Sequence, residues 1–186
     1  LVAAHESSFG KGTANDLVVG LQITHSGRYA RPSAWDRPEP FVAFAHPVLD
    51  RRFPVGVRIL TDEDLDRLAD DYVRAAVLAQ RAGFQFVDVK HCHGYLGHEL
   101  LAAHDRPGRY GGSLENRTRF LRTVVEGIRA EAPGLRIGVR FSAFDTVPWR
   151  KGPEGRGEPE RGDVGYTSAF GLIRGERMED ALDESR

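Results

Sequence analysis

The chain has 186 residues, 40% hydrophobic and 28% charged, which suits one globular domain or two small ones and excludes a wholly disordered chain. Its 26 basic and 27 acidic residues leave a formal charge of -1, so there is no electrostatic case for a nucleic-acid binder or an anionic-membrane binder. Cys92 is the only cysteine, which excludes an intramolecular disulfide and a cysteine-cage zinc site.

No apolar run reaches the roughly 18 residues of a membrane span, and the first residues make no secretory signal. The expectation is a soluble protein of a reducing compartment, the cytoplasm. The chain opens on Leu1, has Met178 as its only methionine, and stops at Arg186 inside a charged, helix-like stretch. These ends read as a piece of a longer protein. No internal repeat is visible.

In chain order, Leu17–Thr24 (LVVGLQIT) is short, β-rich and bounded by turn residues, which predicts a strand. Gly27–Pro54 scatters Pro32, Pro38, Pro40, Pro47 and Pro54 among polar and aromatic residues and reads as a long loop. Thr61, followed by Asp62, Glu63 and Asp64, marks a helix start with a capping hydroxyl and acids in the first turn. Leu65, Leu68, Tyr72, Ala75, Ala76 and Ala79 then recur at helical spacing, and Gly83 ends the helix. Phe84–Lys90 is the next strand. Gly94–Ala103 reads as a helix and Ser113–Glu131 as a longer one, with Phe120, Leu121, Val124, Val125 and Ile128 as its apolar stripe. Pro133 and Gly134 break it, and Leu135–Ser142 is a third strand. A second loop-like segment, Pro148–Gly165, holds several glycines and prolines among charges. Strands separated by helices imply crossover units and a parallel sheet.

Alternate side chains of a strand face opposite sides. A parallel strand covered on both faces should be apolar almost throughout. Gln22, then Asp88 with Lys90, then Arg140 depart from that rule near the C-terminal ends of the three strands, on the less apolar face. Parallel α/β sheets bind ligands at that end.

Four stretches, in this order and at these strand ends and helix starts, resemble the Old Yellow Enzyme family of FMN-dependent oxidoreductases. They are Gly20–Arg28 (GLQITHSGR), Phe84–Leu96 (FQFVDVKHCHGYL), Tyr110–Arg117 (YGGSLENR) and Ile137–Asp145 (IGVRFSAFD). The likeness covers most of Leu17–Asp145 and loosens around Tyr166–Gly171. It implies a parallel (β/α)8 TIM barrel, a fold of about 250 residues. Residues 1–186 would then be a partial flavin-binding barrel domain, running from about the third strand to just beyond the fifth. Without the family's early flavin contacts and late phosphate loops, such a segment should bind FMN poorly.

The resemblance also implies site roles. Gln22 corresponds to the glutamine that hydrogen-bonds the flavin pyrimidine edge, where an amide offers both donor and acceptor. Arg140 corresponds to the arginine beside flavin N1 and the C2 carbonyl, a fixed cation that stabilises the reduced cofactor. Tyr95 corresponds to the tyrosine that protonates the substrate carbon, and His93 to the second of two donors to the substrate carbonyl oxygen. The first of those donors is usually histidine; here it is Lys90. An ammonium still donates to oxygen, but as a point charge it suits a more anionic or differently shaped substrate. Gly108 departs from the family's usual aspartate, in a loop.

His25 either sits near the flavin or orients the turn Ser26, Gly27 and Arg28. His91, Cys92, His93, His98 and His104 lie close in sequence, yet no acidic ligand sits at a matching spacing and no HExxH is present, so no metal site is expected. Nothing in the sequence positions a base for Cys92 as a nucleophile. The YGGSLENR run reads as structural, with Ser113 capping a helix and Asn116 as a weak capping partner, and Arg117, Arg119 and Arg122 as a solvated face. The glycines fit neither GxGxxG nor a Walker pattern, so a dinucleotide-binding Rossmann domain is not supported.

The expected activity is that of an ene-reductase. NAD(P)H reduces FMN, and hydride then passes to the β-carbon of an activated alkene while Tyr95 supplies the proton. The alternatives are a flavin-dependent amine dehydrogenase and a non-catalytic truncated half-barrel. The expected partner is a small-molecule substrate, not nucleic acid or membrane. Substrate identity, the choice of NADH or NADPH and the oligomeric state are not legible in the sequence.

Overall fold

A computed structural model describes residues 1–142 and 149–159. The order is α1 (Val2–Phe9), β1 (Gly20–Ile23), β2 (Phe41–Val42), β3 (Arg58–Ile59), α2 (Asp62–Arg81), β4 (Phe86–His91), α3 (Leu96–Leu101), α4 (Leu114–Arg117), α5 (Arg119–Glu131), β5 (Arg136–Phe141), β6 (Trp149–Lys151) and β7 (Gly157–Pro159). Single-turn 3-10 helices cover Gly27–Tyr29 and Leu49–Arg52.

The main sheet is three-stranded, in the order β1-β4-β5, and both pairings are parallel. Each later strand adds to the same edge. The linking helices α2 and α5 lie on one face of the sheet, where Ile23, Val87 and Val89 join Leu65, Ala69, Tyr72, Val73, Ala76, Phe120, Val124 and Ile128 in the buried core. Burying aliphatic side chains of this kind contributes about 1.5–3 kcal/mol apiece before entropy is counted. The opposite face carries Gln22, Asp88, Lys90 and Arg140. Among the described residues the crossover helices α2 and α5 share one face, whereas a doubly wound fold covers both faces. The architecture is therefore α/β with a parallel sheet, as the sequence predicts.

The helix α2 begins as its sequence dictates. The Thr61 hydroxyl accepts from the Asp64 amide, and the Asp64 carboxylate accepts from the Thr61 amide, each at 3.1 Å. This reciprocal cap satisfies two otherwise orphaned donors. Gly83, at φ 87, turns the chain out of the helix. Leu65, Tyr72, Ala76 and Ala79 are buried, and Leu68 and Ala75 half-buried.

Several expectations need correction. The helix expected over Ser113–Glu131 is two. Thr118 hydrogen-bonds the Leu114 carbonyl through both its amide and its hydroxyl, and Arg117 folds back onto the carbonyls of Leu101 and Gly112. Arg117 and Arg119 are half-buried braces rather than a solvated face; Arg119 bonds the Arg109 carbonyl and the Asn116 side chain. Ser113 does cap α4, accepting from the Asn116 amide at 3.2 Å. The helix expected over Gly94–Ala103 spans only Leu96–Leu101, so Tyr95 is its N-cap residue. The long loop from Gly27 contains β2, which pairs in parallel with β3; strands of two residues leave no periodicity to read. In the second loop-like segment β6 and β7 form an antiparallel pair. Asp145, Pro148, residues 160–165 and the Tyr166–Gly171 likeness lie outside the described residues. Among the described residues, no helix is long and apolar enough to cross a membrane.

Candidate active site

In parallel strands, partners in register point to the same side. Gln22 pairs in register with Asp88, which in turn pairs with Gly138; two positions further along, Lys90 pairs with Arg140. The structure thus brings Gln22, Lys90 and Arg140 onto one face at the C-terminal ends of three neighbouring strands.

Gln22 is exposed, and its amide nitrogen donates to the Asp88 carboxylate at 2.7 Å. That bond fixes the amide's orientation and, among the described residues, leaves its oxygen and second N–H available. Arg140 is also exposed. Between them, Gly138 leaves the floor open: a Cβ built there would meet nothing nearer than the Val87 carbonyl oxygen, at 3.7 Å. An amide acceptor and donor beside a guanidinium, over an open floor, is a donor set that fits the pyrimidine edge of a flat isoalloxazine ring. The family-implied cofactor therefore fits the residues present.

Lys90 is only 8% exposed, and its ammonium lies 3.6 Å from the centroid of the Tyr95 ring. Tyr95 is half-buried and its ring lies 6.0 Å from that of Tyr29. His93 is exposed and sits in the turn between β4 and α3 at φ 62, the one non-glycine left-handed residue among those described. Such strain persists only where the surroundings enforce it. Here the Gly94 amide donates to His98 Nδ1 at 2.9 Å, and the Tyr95 amide reaches the Cys92 carbonyl. His25 accepts from the Gly27 amide at 3.0 Å and lines a cavity of about 550 Å³ with Phe41, Arg58 and Leu68. It orients the turn, as the second of its two readings has it, and burial holds its pKa below the ordinary value.

Behind the turn lies a network that the sequence reading assigned no role. Arg28 is fully buried and donates to Glu99 at 2.8 Å, to Asp50, and to the Phe44 carbonyl at 3.3 Å. Glu99 also accepts from the Ala43 amide at 3.0 Å. Burial pushes the Glu99 carboxyl up to about 7, against the pull of Arg28. The available signal was weak: Arg28 closes the first motif, and Glu99 falls one helical turn after Tyr95. Asp88 stands out in the sequence as a polar residue in its strand, but its hydrogen bond to Gln22 depends on strand register. Among the described residues, no group of three or more His, Cys, Asp or Glu side chains is arranged to hold a metal ion.

His91 points to the core side. It is 1% exposed and packs 6.0 Å from the Phe120 ring. Burial, and then the nearby His98, lower its pKa to about 4. A folded value below the unfolded one means that the unfolded chain binds more protons between about 6.5 and 4. Stability should therefore be full above 6.5 and decline as pH falls toward 4, by roughly 3 kcal/mol for this group alone. Thermal melts across that window should show a shallower decline for His91→Leu than for the parent protein. Matching slopes would mean that this imidazole does not titrate as described.

The sequence profile of the NADH:flavin oxidoreductase / NADH oxidase family matches residues 9–154. The 12-oxophytodienoate reductase 1 of Oryza sativa subsp. japonica is 44% identical over 89 residues, covering 47% of this chain and 23% of that protein. The NADPH dehydrogenase of Bacillus subtilis is 33% identical over 129 residues, covering 68% of this chain and 36% of that protein. Among solved structures, histamine dehydrogenase from Rhizobium sp. 4-9 aligns with a TM-score of 0.59 and 33% identity, over 70% of this chain and 19% of that one. A 2-naphthoyl-CoA reductase aligns with a TM-score of 0.57 and 29% identity, over 65% and 20%. The chain spans about a quarter of the length of the relatives it matches first. With the profile running through β1, β4, α3 and β5, where the polar face is built, the chain belongs to the NADH:flavin oxidoreductase / NADH oxidase family.

Proposed function

We propose that this chain is the catalytic-face arc of a (β/α)8 barrel in an FMN-dependent, NAD(P)H-consuming oxidoreductase of ene-reductase type. The observation that carries this reading is the convergence of Gln22, Lys90 and Arg140 on one sheet face, with Tyr95 stacked against Lys90. Gln22, held by Asp88, would bind the pyrimidine edge of FMN, and Arg140 would sit beside N1 and the C2 carbonyl. When bound, FMN supplies hydride transfer from NAD(P)H to the β-carbon of an activated alkene. Lys90 and His93 hold the substrate's oxygen as negative charge develops there. Tyr95 gives its phenolic proton to the α-carbon, so that hydride and proton together saturate the double bond. The buried Arg28 and Glu99 keep the preceding turn and α3 in place.

A second reading, amine oxidation, draws on the likeness to histamine dehydrogenase. Lys90 counts against it, because a buried ammonium repels a protonated amine.

The full-length protein should purify with the visible absorbance of a flavin. In Tyr95→Phe, flavin reduction by NAD(P)H should persist, while alkene-dependent reoxidation slows by about 10²–10⁴-fold. Colourless protein overturns the flavoenzyme reading. Equal loss in both half-reactions removes Tyr95 as proton donor, and bleaching by amines with no response to alkenes favours the second reading.

A further inference from the structure

A proton donor works only within hydrogen-bond reach of the atom it serves, so its ring has to be held. The Tyr95 side chain leaves the backbone just after His93 and Gly94, both left-handed, at φ 62 and φ 66. Among the described residues, two groups hold its ring: the Lys90 ammonium, 3.6 Å from the centroid, and the Tyr29 ring, 6.0 Å away and tilted by 46°. Tyr29 reaches the turn as well. A Cβ built on Gly94 would stand 3.8 Å from Tyr29 Cε2 and 4.0 Å from its Oη.

Tyr29 is 40% exposed, so filling the core is not what its ring does. Yet the ring is anchored from behind. It stands on the single-turn helix Gly27–Tyr29, where the Tyr29 amide donates to the Ser26 carbonyl at 3.1 Å and the Ala30 amide to the Gly27 carbonyl at 3.0 Å. Its neighbour Arg28 is fully buried and tied to Glu99 of α3. Phe53 backs the ring edge-on, with centroids 6.5 Å apart. The turn after β1 and the start of α3 are thus fastened together, with Tyr29 and Tyr95 facing each other across the join.

We infer that Tyr29 is a positioning residue for the proton donor: its ring, carried on the turn after β1, sets the orientation of the Tyr95 phenol. The inference rests on the ene-reductase reading and adds to it a residue from a different loop. Tilted aromatic pairs at this separation attract through their ring quadrupoles, and the tilt of the Tyr95 ring decides where its hydroxyl lies. In the step served, the Tyr95 O–H bond breaks and a bond from hydrogen to the α-carbon forms. The carbon–carbon π bond breaks as hydride reaches the β-carbon, and solvent reprotonates the phenolate. Tyr29 makes and breaks no bond.

The test uses the flavin-loaded full-length protein with 2-cyclohexenone as a simple activated alkene. In Tyr29→Leu the limiting rate of alkene-dependent reoxidation should fall by about tenfold. The half-saturating alkene concentration and flavin reduction by NAD(P)H should stay as in the parent. Tyr29→Phe, which keeps the ring, should retain the parent rate. In a Tyr95→Phe background, Tyr29→Leu should cause no further loss, because its effect passes through the Tyr95 hydroxyl. A readout without turnover is fluorine NMR of protein labelled with 3-fluorotyrosine, the Tyr95 resonance being the one that Tyr95→Phe removes. In Tyr29→Leu that resonance should move toward the position of free fluorotyrosine. An unmoved resonance overturns the inference, as does a loss that adds fully to that of Tyr95→Phe, or a loss in Tyr29→Phe as large as in Tyr29→Leu. If Tyr95→Phe slows reoxidation selectively while Tyr29→Leu does not, only the role of Tyr29 falls. If the parent binds no flavin, or the alkene does not reoxidise it, the ene-reductase reading falls and this inference with it.

Discussion

Arg28→Met should cost about 3–5 kcal/mol of folding stability, the penalty for stranding a buried charge by removing its partner. Arg28 has no solvent exposure and Glu99 is 7% exposed; the guanidinium donates to Glu99, to Asp50 and to a carbonyl. Removing it leaves the Glu99 carboxylate with one remaining partner, the Ala43 amide. Urea unfolding of the full-length protein measures the loss, and Arg28→Met with Glu99→Leu should recover most of it, because the two defects are one defect. The pH dependence has a defined sign. Burial already places the folded Glu99 carboxyl near 7, above its ordinary 4.5, so between those values the folded state binds more protons than the unfolded one. The contribution of Glu99 is thus greatest below 4.5 and lost as pH rises through 7. Without Arg28 this bias strengthens, and the deficit of Arg28→Met should shrink on acidification. A single variant as stable as its parent, or a deficit that grows on acidification, would dismiss the network as a stabilising unit.

Gly27→Ala should be nearly as damaging, by about 2–4 kcal/mol. Gly27 sits at φ +58, where a side chain is strained, and an added Cβ would stand 2.6 Å from the Leu96 amide nitrogen and 3.0 Å from its Cα. These are backbone atoms, so no rotamer relieves the clash. Leu96 is the first residue of α3, and its amide donates to the His25 carbonyl across the same contact. Displacing it moves Tyr95, the N-cap before it, relative to Lys90. Thermal melts should show the stability loss. In the flavin-loaded protein, alkene-dependent reoxidation should fall more than reduction by NAD(P)H, since the strand residues Gln22 and Arg140 lie away from the clash. A change below about 0.5 kcal/mol would show that the turn and the helix are not in the contact described.

The helices and strands were legible where neighbours in sequence settle them. The Thr61 cap, the stripe from Leu65 to Ala79 and the stop at Gly83 depend on spacings of three and four residues. The split of Ser113–Glu131 at Thr118 was not legible, because it depends on where the Arg117 side chain folds back. The site was legible as residue types and as strand parity: Gln22, Lys90 and Arg140 stood out as polar side chains on the less apolar face.

What the sequence by itself determined, then, is parity, capping and the order of motifs, all set by steric and hydrogen-bonding preferences that act over a few residues. The tertiary structure decided adjacency. Only strand register brings Gln22 to Asp88, 66 positions away, and only packing seals Arg28 against Glu99, 71 positions away. Whether a charged side chain is a solvated ornament or a buried pair depends on what removes its water. That is the work of distant segments, and no local spacing records it.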